Sequence, residues 1–170
     1  MAVAAGAAPV NNEEEVLVAE VSIVGPDDGE RIRLAPSVQM RVLEDGSTTG
    51  HRLGMAVSTL GPRTPGPPQH RHLRHDEGFY VVSGLLRFTI GDEDHDAGAG
   101  TLVMVPPGAP HTFANPGDEP AVLLTSFTPD LYVQYFRDMQ ALAAAGRPSS
   151  SDVEAVMARY ATEISDQYAP

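Results

Sequence analysis

Four residues in two separate stretches of the chain have the types and spacing of a metal site. His70 and His72 flank a single arginine, Glu77 follows five positions later, and His111 lies further along the chain. In an extended strand, residues two apart share a face and lie about 6.6 Å apart, so two imidazoles can reach one ion. Imidazole and carboxylate donors suit divalent transition metals, and four donors leave positions open, as catalytic sites require.

Short strands between glycine and proline turns must position these residues. Strands are predicted at Val16–Ile23, Val38–Leu43, His51–Leu60, Glu77–Val82, Leu85–Ile90, Thr101–Val105, His111–Asn115 and Ala121–Phe127. The proline-rich segment 61–68 cannot be a ladder strand and is predicted to be a loop that delivers the histidine pair. This pattern is typical of an all-β barrel or sandwich.

The spacing resembles the two motifs of the cupin superfamily. Residues 70–84 read His-x-His, four residues, Glu, six residues and Gly, and residues 100–115 read Gly-x5-Pro-x-Gly-x2-His-x3-Asn. The second motif matches at every defined position. In the first motif, the leading glycine of the family falls on Thr64. The motif pair occurs once, as in a single-domain cupin.

The resemblance implies that His70, His72, Glu77 and His111 bind a metal inside a small antiparallel β-barrel. His75 and Asp76 are rival ligands in the same stretch. The position of the glycine that closes the first motif favours Glu77 over both.

The spacing of apolar residues becomes helical after residue 127. Thr128 is predicted to cap a first helix, with Pro129 at its first position and Gly146 at its end. Ser151 and Glu154 form the pattern of a capping box for a second helix. A barrel followed by such helices also resembles the single-domain quercetin-dioxygenase-like cupins.

The predicted fold class is mainly β: a double-stranded β-helix, the jelly roll of cupin barrels, with two C-terminal α-helices. Residues 1–14 are predicted to be disordered, residues 15–128 to form the barrel, and residues 129–167 to form a helical extension. The extension is expected to pack on the barrel or on the partner in a homodimer. A lid over the barrel mouth is the alternative.

Composition excludes several kinds of chemistry and partner. The chain has no cysteine, and all 11 basic residues are arginine, which excludes disulfides, thiolate nucleophiles and lysine Schiff bases. A net charge of −12 disfavours binding to nucleic acid or anionic membranes. No apolar run approaches the ~20 residues of a membrane span, and the N-terminus lacks the basic region of a signal peptide. We therefore expect a cytoplasmic protein.

Two histidines lie outside the motifs, and neither is expected to have a functional role. His95 belongs to the acidic segment 91–96, which lacks the glycine and distal glutamate of a calcium-binding EF-hand loop. A solvated hairpin tip is the simpler interpretation. His51 is likewise expected to be structural.

Strand parity predicts the wall of a pocket beside the metal. Phe79 and Val81 share a face with Glu77, and Phe113 shares the face of His111. The other expected wall residues are Met55, Phe88 and Met104. Such a lining suits a small apolar or aromatic molecule, although small barrels also fill their interior with side chains.

The function expected from the sequence is that of a metal-dependent, dioxygenase-like oxidoreductase acting on a small aromatic or polyphenolic compound. Glu77 would remain a ligand or act as a catalytic base. A metal-dependent isomerase, cyclase or lyase of a small metabolite is the alternative, as is a non-catalytic cupin that binds a small molecule. The donors admit Fe(II), Mn, Ni, Co, Cu or Zn, and Fe(II) is favoured.

Overall fold

Strands with alternating buried and exposed side chains form two antiparallel sheets that enclose the core. The computed structural model describes residues 21–165. The strands are β1 (Arg31–Ala35), β2 (Val38–Asp45), β3 (Gly54–Leu60), β4 (His70–His72), β5 (Asp76–Ser83), β6 (Leu85–Ile90), β7 (Glu93–Gly98), β8 (Leu102–Val105), β9 (His111–Ala114), β10 (Ala121–Thr128) and β11 (Thr162–Ile164). The helices are α1 (Tyr132–Ala144) and α2 (Ser150–Arg159). The mainly β fold with two C-terminal helices is confirmed.

The order of the strands explains how distant motifs meet. The first sheet has the order β1-β2-β3-β10-β5-β8, and the second has the order β11-β4-β9-β6-β7. Apolar side chains of both sheets share one core, in which Phe79 and Val81 of β5 contribute with Leu86 and Phe88 of β6. Each of these four residues is almost fully buried, and burial of one such side chain contributes about 1.5–3 kcal/mol.

Most predicted strands are confirmed with small changes at their ends, but the first one is not. Residues 16–20 of the predicted strand Val16–Ile23 lie outside the described residues, and residues 21–23 have no regular structure. The predicted disorder of residues 1–14 also lies outside them. Within residues 21–165 the first strand is β1, where Ile32 is buried between two more exposed arginines.

The acidic segment predicted to be a hairpin tip is largely a strand. Its residues from Glu93 onward form β7, an edge strand paired with β6. The Arg87 guanidinium of β6 binds the Asp96 carboxylate, with a distance of 2.7 Å from Nε to Oδ1. The charged side chains lie on an exposed edge strand, where they disfavour pairing with other chains. In the sequence, such a run of charged residues resembles a turn.

Both helix starts differ from the prediction. Thr128 is the last residue of β10 and pairs with Asp76, so it cannot cap α1, which begins at Tyr132 after Leu131. The capping box of α2 uses Ser149 and Asp152 instead of Ser151 and Glu154. Three consecutive serines offer the same spacing to two acidic residues, so the sequence pattern alone did not define the register.

Helix α1 packs against the first sheet near one end of the barrel. Tyr132 and Val133 join a second buried cluster with Phe127 of β10 and residues of β1 to β3. The Arg137 guanidinium also binds the carboxylates of Glu30 and Asp45 at 2.7 and 2.8 Å. Among residues 21–165, no helix is long and apolar enough to span a membrane.

Replacement of Leu123 by alanine tests the position of β10 in the core. Leu123 is 0% exposed, whereas Leu102 on β8 is 59% exposed. Leu123→Ala should lower the free energy of unfolding by about 2–5 kcal/mol because it leaves a cavity. The matched change Leu102→Ala should stay within about 0.5 kcal/mol. Urea unfolding of the metal-free proteins measures both, and equal losses would contradict this placement.

Candidate metal centre

The metal-ligand candidates of the sequence lie between the two sheets. Strand β4 points His70 and His72 inward and Arg71 outward. His111 begins β9, where it is the direct partner of His70 in the antiparallel pair. Glu77 belongs to β5 in the opposite sheet. The structure therefore brings residues from three strands and both sheets to one place.

The four side chains converge closely. One carboxylate oxygen of Glu77, Oε2, lies 2.8 Å from Nε2 of His72 and 3.3 Å from Nε2 of His111. The ring of His70 lies 4.6 Å from that of His111, measured between centroids. His70, His72 and His111 offer ring nitrogens that all lie within 4.8 Å of one another. All four side chains are more than nine-tenths buried.

Backbone carbonyls fix the proton on two of the imidazoles. Nδ1 of His70 lies 3.0 Å from the carbonyl oxygen of Pro68, and Nδ1 of His111 lies 3.1 Å from that of Ala109. Because a carbonyl oxygen only accepts, each Nδ1 must carry the proton and donate it. Nε2 of both rings is then left with a lone pair that is available to a metal.

A threonine hydroxyl fixes the third imidazole in the same way. Nδ1 of His72 lies 3.0 Å from Oγ1 of Thr162, and that hydroxyl donates its single proton to the carbonyl oxygen of Tyr160. With its proton on the Tyr160 carbonyl, the Thr162 oxygen can accept the Nδ1 proton of His72. In this arrangement all three rings carry their proton on Nδ1 and direct the lone pair of Nε2 toward the site.

The charge of Glu77 requires a positive partner at this point. Burial raises the pKa of Glu77, but hydrogen bonds from His111 and His72 outweigh it and lower the pKa to about 2. A divalent cation bound by the Nε2 atoms would supply that charge while every Nδ1 hydrogen bond is kept. The donor set thus fits a transition metal held by three imidazoles and one carboxylate.

His75 also lies in this centre, whereas Asp76 does not. His75 is buried, and its ring centroid lies 4.1 Å from that of His72. Together with His72 and Glu77 it forms a second group whose ligand atoms lie within 4.8 Å of one another. Asp76 is exposed on the other face of β5.

The pKa of two histidines is low in the folded protein. Burial lowers the pKa of His70 to about 4, and the neighbouring His111 and His72 add to this shift. Burial, followed by His72, lowers the pKa of His75 to about 4. Both rings are therefore neutral at neutral pH, as metal ligands must be.

Two residues of the C-terminal extension reach the centre, and no sequence motif points to either of them. Tyr132 of α1 lies 4.5 Å from His72 and 4.7 Å from His75 between ring centroids. Thr162 belongs to β11, which adds to the edge of β4. A three-residue strand has no periodicity to detect, so no local signal indicated either contact.

The loop before β4 has Thr64 where the cupin motif has a glycine, and the loop accommodates the threonine side chain. Thr64 is buried, and its hydroxyl donates to the carbonyl oxygen of Gly61. The backbone of the loop approaches that of Phe113 most tightly two residues later, at Gly66. A Cβ at Gly66 would lie 2.1 Å from the carbonyl oxygen of Phe113. The loop therefore needs a glycine at position 66.

The residues predicted to form the pocket wall divide into two sets. Phe79, Val81, Phe88 and Phe113 face inward, and the Phe79 ring lies 5.2 Å from Phe113 and 5.4 Å from Phe88. Phe79 also lies 6.0 Å from His111. These four residues form a packed apolar core beside the donors.

The placement of Met55 and Met104 on the inner wall is wrong. Both share a cross-strand row with Gly78 and Ser126, which lies on the outer face of the first sheet. Met104 is 57% exposed. Neighbouring residues of a strand point to opposite faces. Because Phe79 points inward, its neighbour Gly78 and the whole row that contains Gly78 lie on the outer face.

Comparisons with known proteins agree with the fold and the motifs. Residues 56–127 match the family described as Cupin domain. An uncharacterized protein of Methanocaldococcus jannaschii is 28% identical over 78 residues, which are 45% of this chain and 60% of that protein. The chain thus spans about three fifths of the curated relative that it matches. The matched segment and the fold of this chain are therefore similar to those of cupin domains.

Solved structures with similar folds bear names of different functions. KdgF from Halomonas sp. has a TM-score of 0.57 at 18% identity, over 65% of this chain and 94% of that one. The polyketide cyclase RemF from Streptomyces resistomycificus has a TM-score of 0.56 at 20% identity, over 64% and 80%. A predicted oxalate decarboxylase from Thermotoga maritima has a TM-score of 0.57 at 21% identity, over 64% and 99%. At these identities the likeness establishes the fold alone.

Metal-free protein should lose stability as the pH falls from 6.5 towards 4. The pKa of His70 and His75 is about 4 when folded, against an ordinary value of 6.5. In this window the unfolded chain binds more protons, so acid favours unfolding, by at most about 3 kcal/mol for each histidine. Glu77 adds a further loss only below pH 4.5, since its folded pKa is about 2.

Urea unfolding of chelator-treated protein across this pH window measures the effect. His75→Phe should flatten the pH dependence because it removes one of the two groups. His95→Gln is the matched control, since the His95 side chain is 57% exposed. If His75→Phe leaves the pH dependence of the unfolding free energy unchanged, the low pKa of His75 in the folded protein is contradicted.

Removal of the Thr162 hydroxyl should weaken metal binding. Thr162→Val keeps the shape of the side chain but leaves the Nδ1 proton of His72 without an acceptor. Loss of such a supporting contact commonly lowers metal affinity about 10- to 100-fold. Thr162→Ser retains the hydroxyl and should bind nearly as well as the wild type. Calorimetric titration with Zn(II) compares the two, and equal affinities would argue against this role of Thr162.

Proposed function

We propose that this protein is a mononuclear metal-dependent oxygenase acting on a small aromatic or polyphenolic compound. The observation that carries the proposal is the convergence of three Nε2 lone pairs and the Glu77 carboxylate in a buried site. The three rings are held by acceptors on their other nitrogen, so the donors are arranged for a metal before it arrives. Fe(II) is the ion we favour, and Mn, Ni, Co, Cu and Zn suit the same donors.

The donors would leave at least one position of the ion open to substrate. A redox-active ion bound here would activate a substrate oxygen and exchange electrons with dioxygen. His70, His72 and His111 would hold the ion, and Glu77 would neutralise part of its charge. A substrate with an oxygen donor next to an aromatic ring would suit the open position.

Glu77 serves better as a ligand than as a catalytic base. A pKa of about 2 makes its carboxylate a weak proton acceptor near neutral pH. Its Oε2 is also already directed at two of the imidazoles. We therefore assign Glu77 to the metal, where it holds the ion and orients His72 and His111.

The apolar residues beside the donors would exclude water from the reaction. Phe79 lies directly against His111 and packs with Phe113 and Phe88. An environment of this kind strengthens electrostatic interactions at the metal and favours an apolar substrate. His70, at 8% exposure, is the most accessible of the four donors, so substrate is expected to approach from its side.

Metal content and oxygen uptake test the proposal together. Protein purified without added metal should contain about one transition-metal ion per chain, and it should consume oxygen with at least one member of a polyphenol panel. His111→Phe should remove both properties because it deletes a ligand in an apolar setting. His95→Gln should retain both.

The same assay separates the alternatives. Turnover of a substrate at the same rate without air would favour metal-dependent isomerase, cyclase or lyase chemistry. Absence of metal binding by the folded wild-type protein, tested with each of the candidate ions, would contradict every metal-dependent proposal and leave the non-catalytic binding function.

A further inference from the structure

His75 has a buried ring nitrogen without a partner. The side chain is 4% exposed, and among residues 21–165 nothing forms a hydrogen bond with its Nε2. An unpaired buried polar atom costs about 1–3 kcal/mol, and such atoms in folded proteins nearly always have a partner. The partner of this nitrogen is therefore to be sought in something that the protein binds.

Packing alone does not account for an imidazole at this position. The ring of His75 packs between aromatic neighbours, at 4.7 Å from Tyr132 and 6.5 Å from Phe127 between centroids. A phenylalanine would make the same apolar contacts without leaving a nitrogen unsatisfied. What the imidazole adds is a pair of ring nitrogens, one of which can bind a metal when the ring is neutral.

The imidazole of His75 lies next to the proposed metal donors. His75 offers a ligand atom within 4.8 Å of those of His72 and Glu77. His72 also belongs to the group formed with His70 and His111. The two groups therefore overlap at His72, and Glu77 connects them through its contact with His111.

We propose that His75 is a fifth metal ligand, which binds the same ion as the four residues of the cupin motifs. This inference rests on the proposed metal site. It extends the expected ligand set by a histidine from the segment that joins β4 to β5, at a position that the motif leaves undefined. Five protein donors leave a single open position on a six-coordinate ion. The substrate would then bind the metal through one oxygen atom and not as a chelate of two.

His75→Phe tests the proposal because a ligand and a packing residue predict different combinations of results. Stability of the metal-free variant should rise, since an unpaired polar atom is replaced by an apolar ring. Affinity for Co(II) should nevertheless fall at least about tenfold, and the visible ligand-field spectrum of the Co(II) protein should change with the donor number. Thermal unfolding, calorimetric titration and absorption spectroscopy measure these three properties.

A second variant and a control keep the result interpretable. His75→Gln keeps a polar side chain and should show the same loss of Co(II) affinity if the phenylalanine variant does not fold. His95→Gln should leave affinity and spectrum unchanged. Wild-type affinity and an unchanged spectrum in both His75 variants would overturn the role of His75 while the metal site stands. Failure of the wild-type protein itself to bind Co(II), Zn(II) or Fe(II) would overturn the proposed function as well.

Discussion

The contact of the Glu77 carboxylate with His72 and His111 is the interaction on which the arrangement of the centre depends. It joins β5 of one sheet to β4 and β9 of the other, so it forms only when the two sheets face each other in the correct register. A carboxylate buried between the sheets is costly unless a positive charge is close to it. The carboxylate that the barrel encloses is therefore a candidate partner for a cation.

The orientation of the imidazoles comes from acceptors outside the centre. Carbonyl groups of Pro68 and Ala109 fix His70 and His111, and both belong to the turns that precede these histidines. His72 depends on Thr162, which is ninety positions away in the sequence. The C-terminal extension is therefore part of the support of the centre. Its strand β11 completes the sheet at β4, and its first helix covers the ring of His72 with Tyr132.

Much of the candidate site was predictable because its residues lie in strands with fixed parity. The pair His70 and His72 faces one side in any extended chain, and the glycines and prolines around them define turns. The helical content after residue 128 was also predictable, since its apolar spacing is local. The error for Met55 and Met104 has the same origin: the face of a strand follows from alternation, but which face meets the core depends on the partner strands.

The sequence by itself determined the types of the candidate metal donors, their spacing, and the mainly β class, since these depend on residue chemistry and on local periodicity. Tertiary structure alone decided that Glu77 of one sheet meets His72 and His111 of the other, that Thr162 fixes the tautomer of His72, and that His75 is buried with an unpaired nitrogen. These features arise from contacts between strands distant in the chain. No local pattern records such contacts, because they depend on register and on how the two sheets pack.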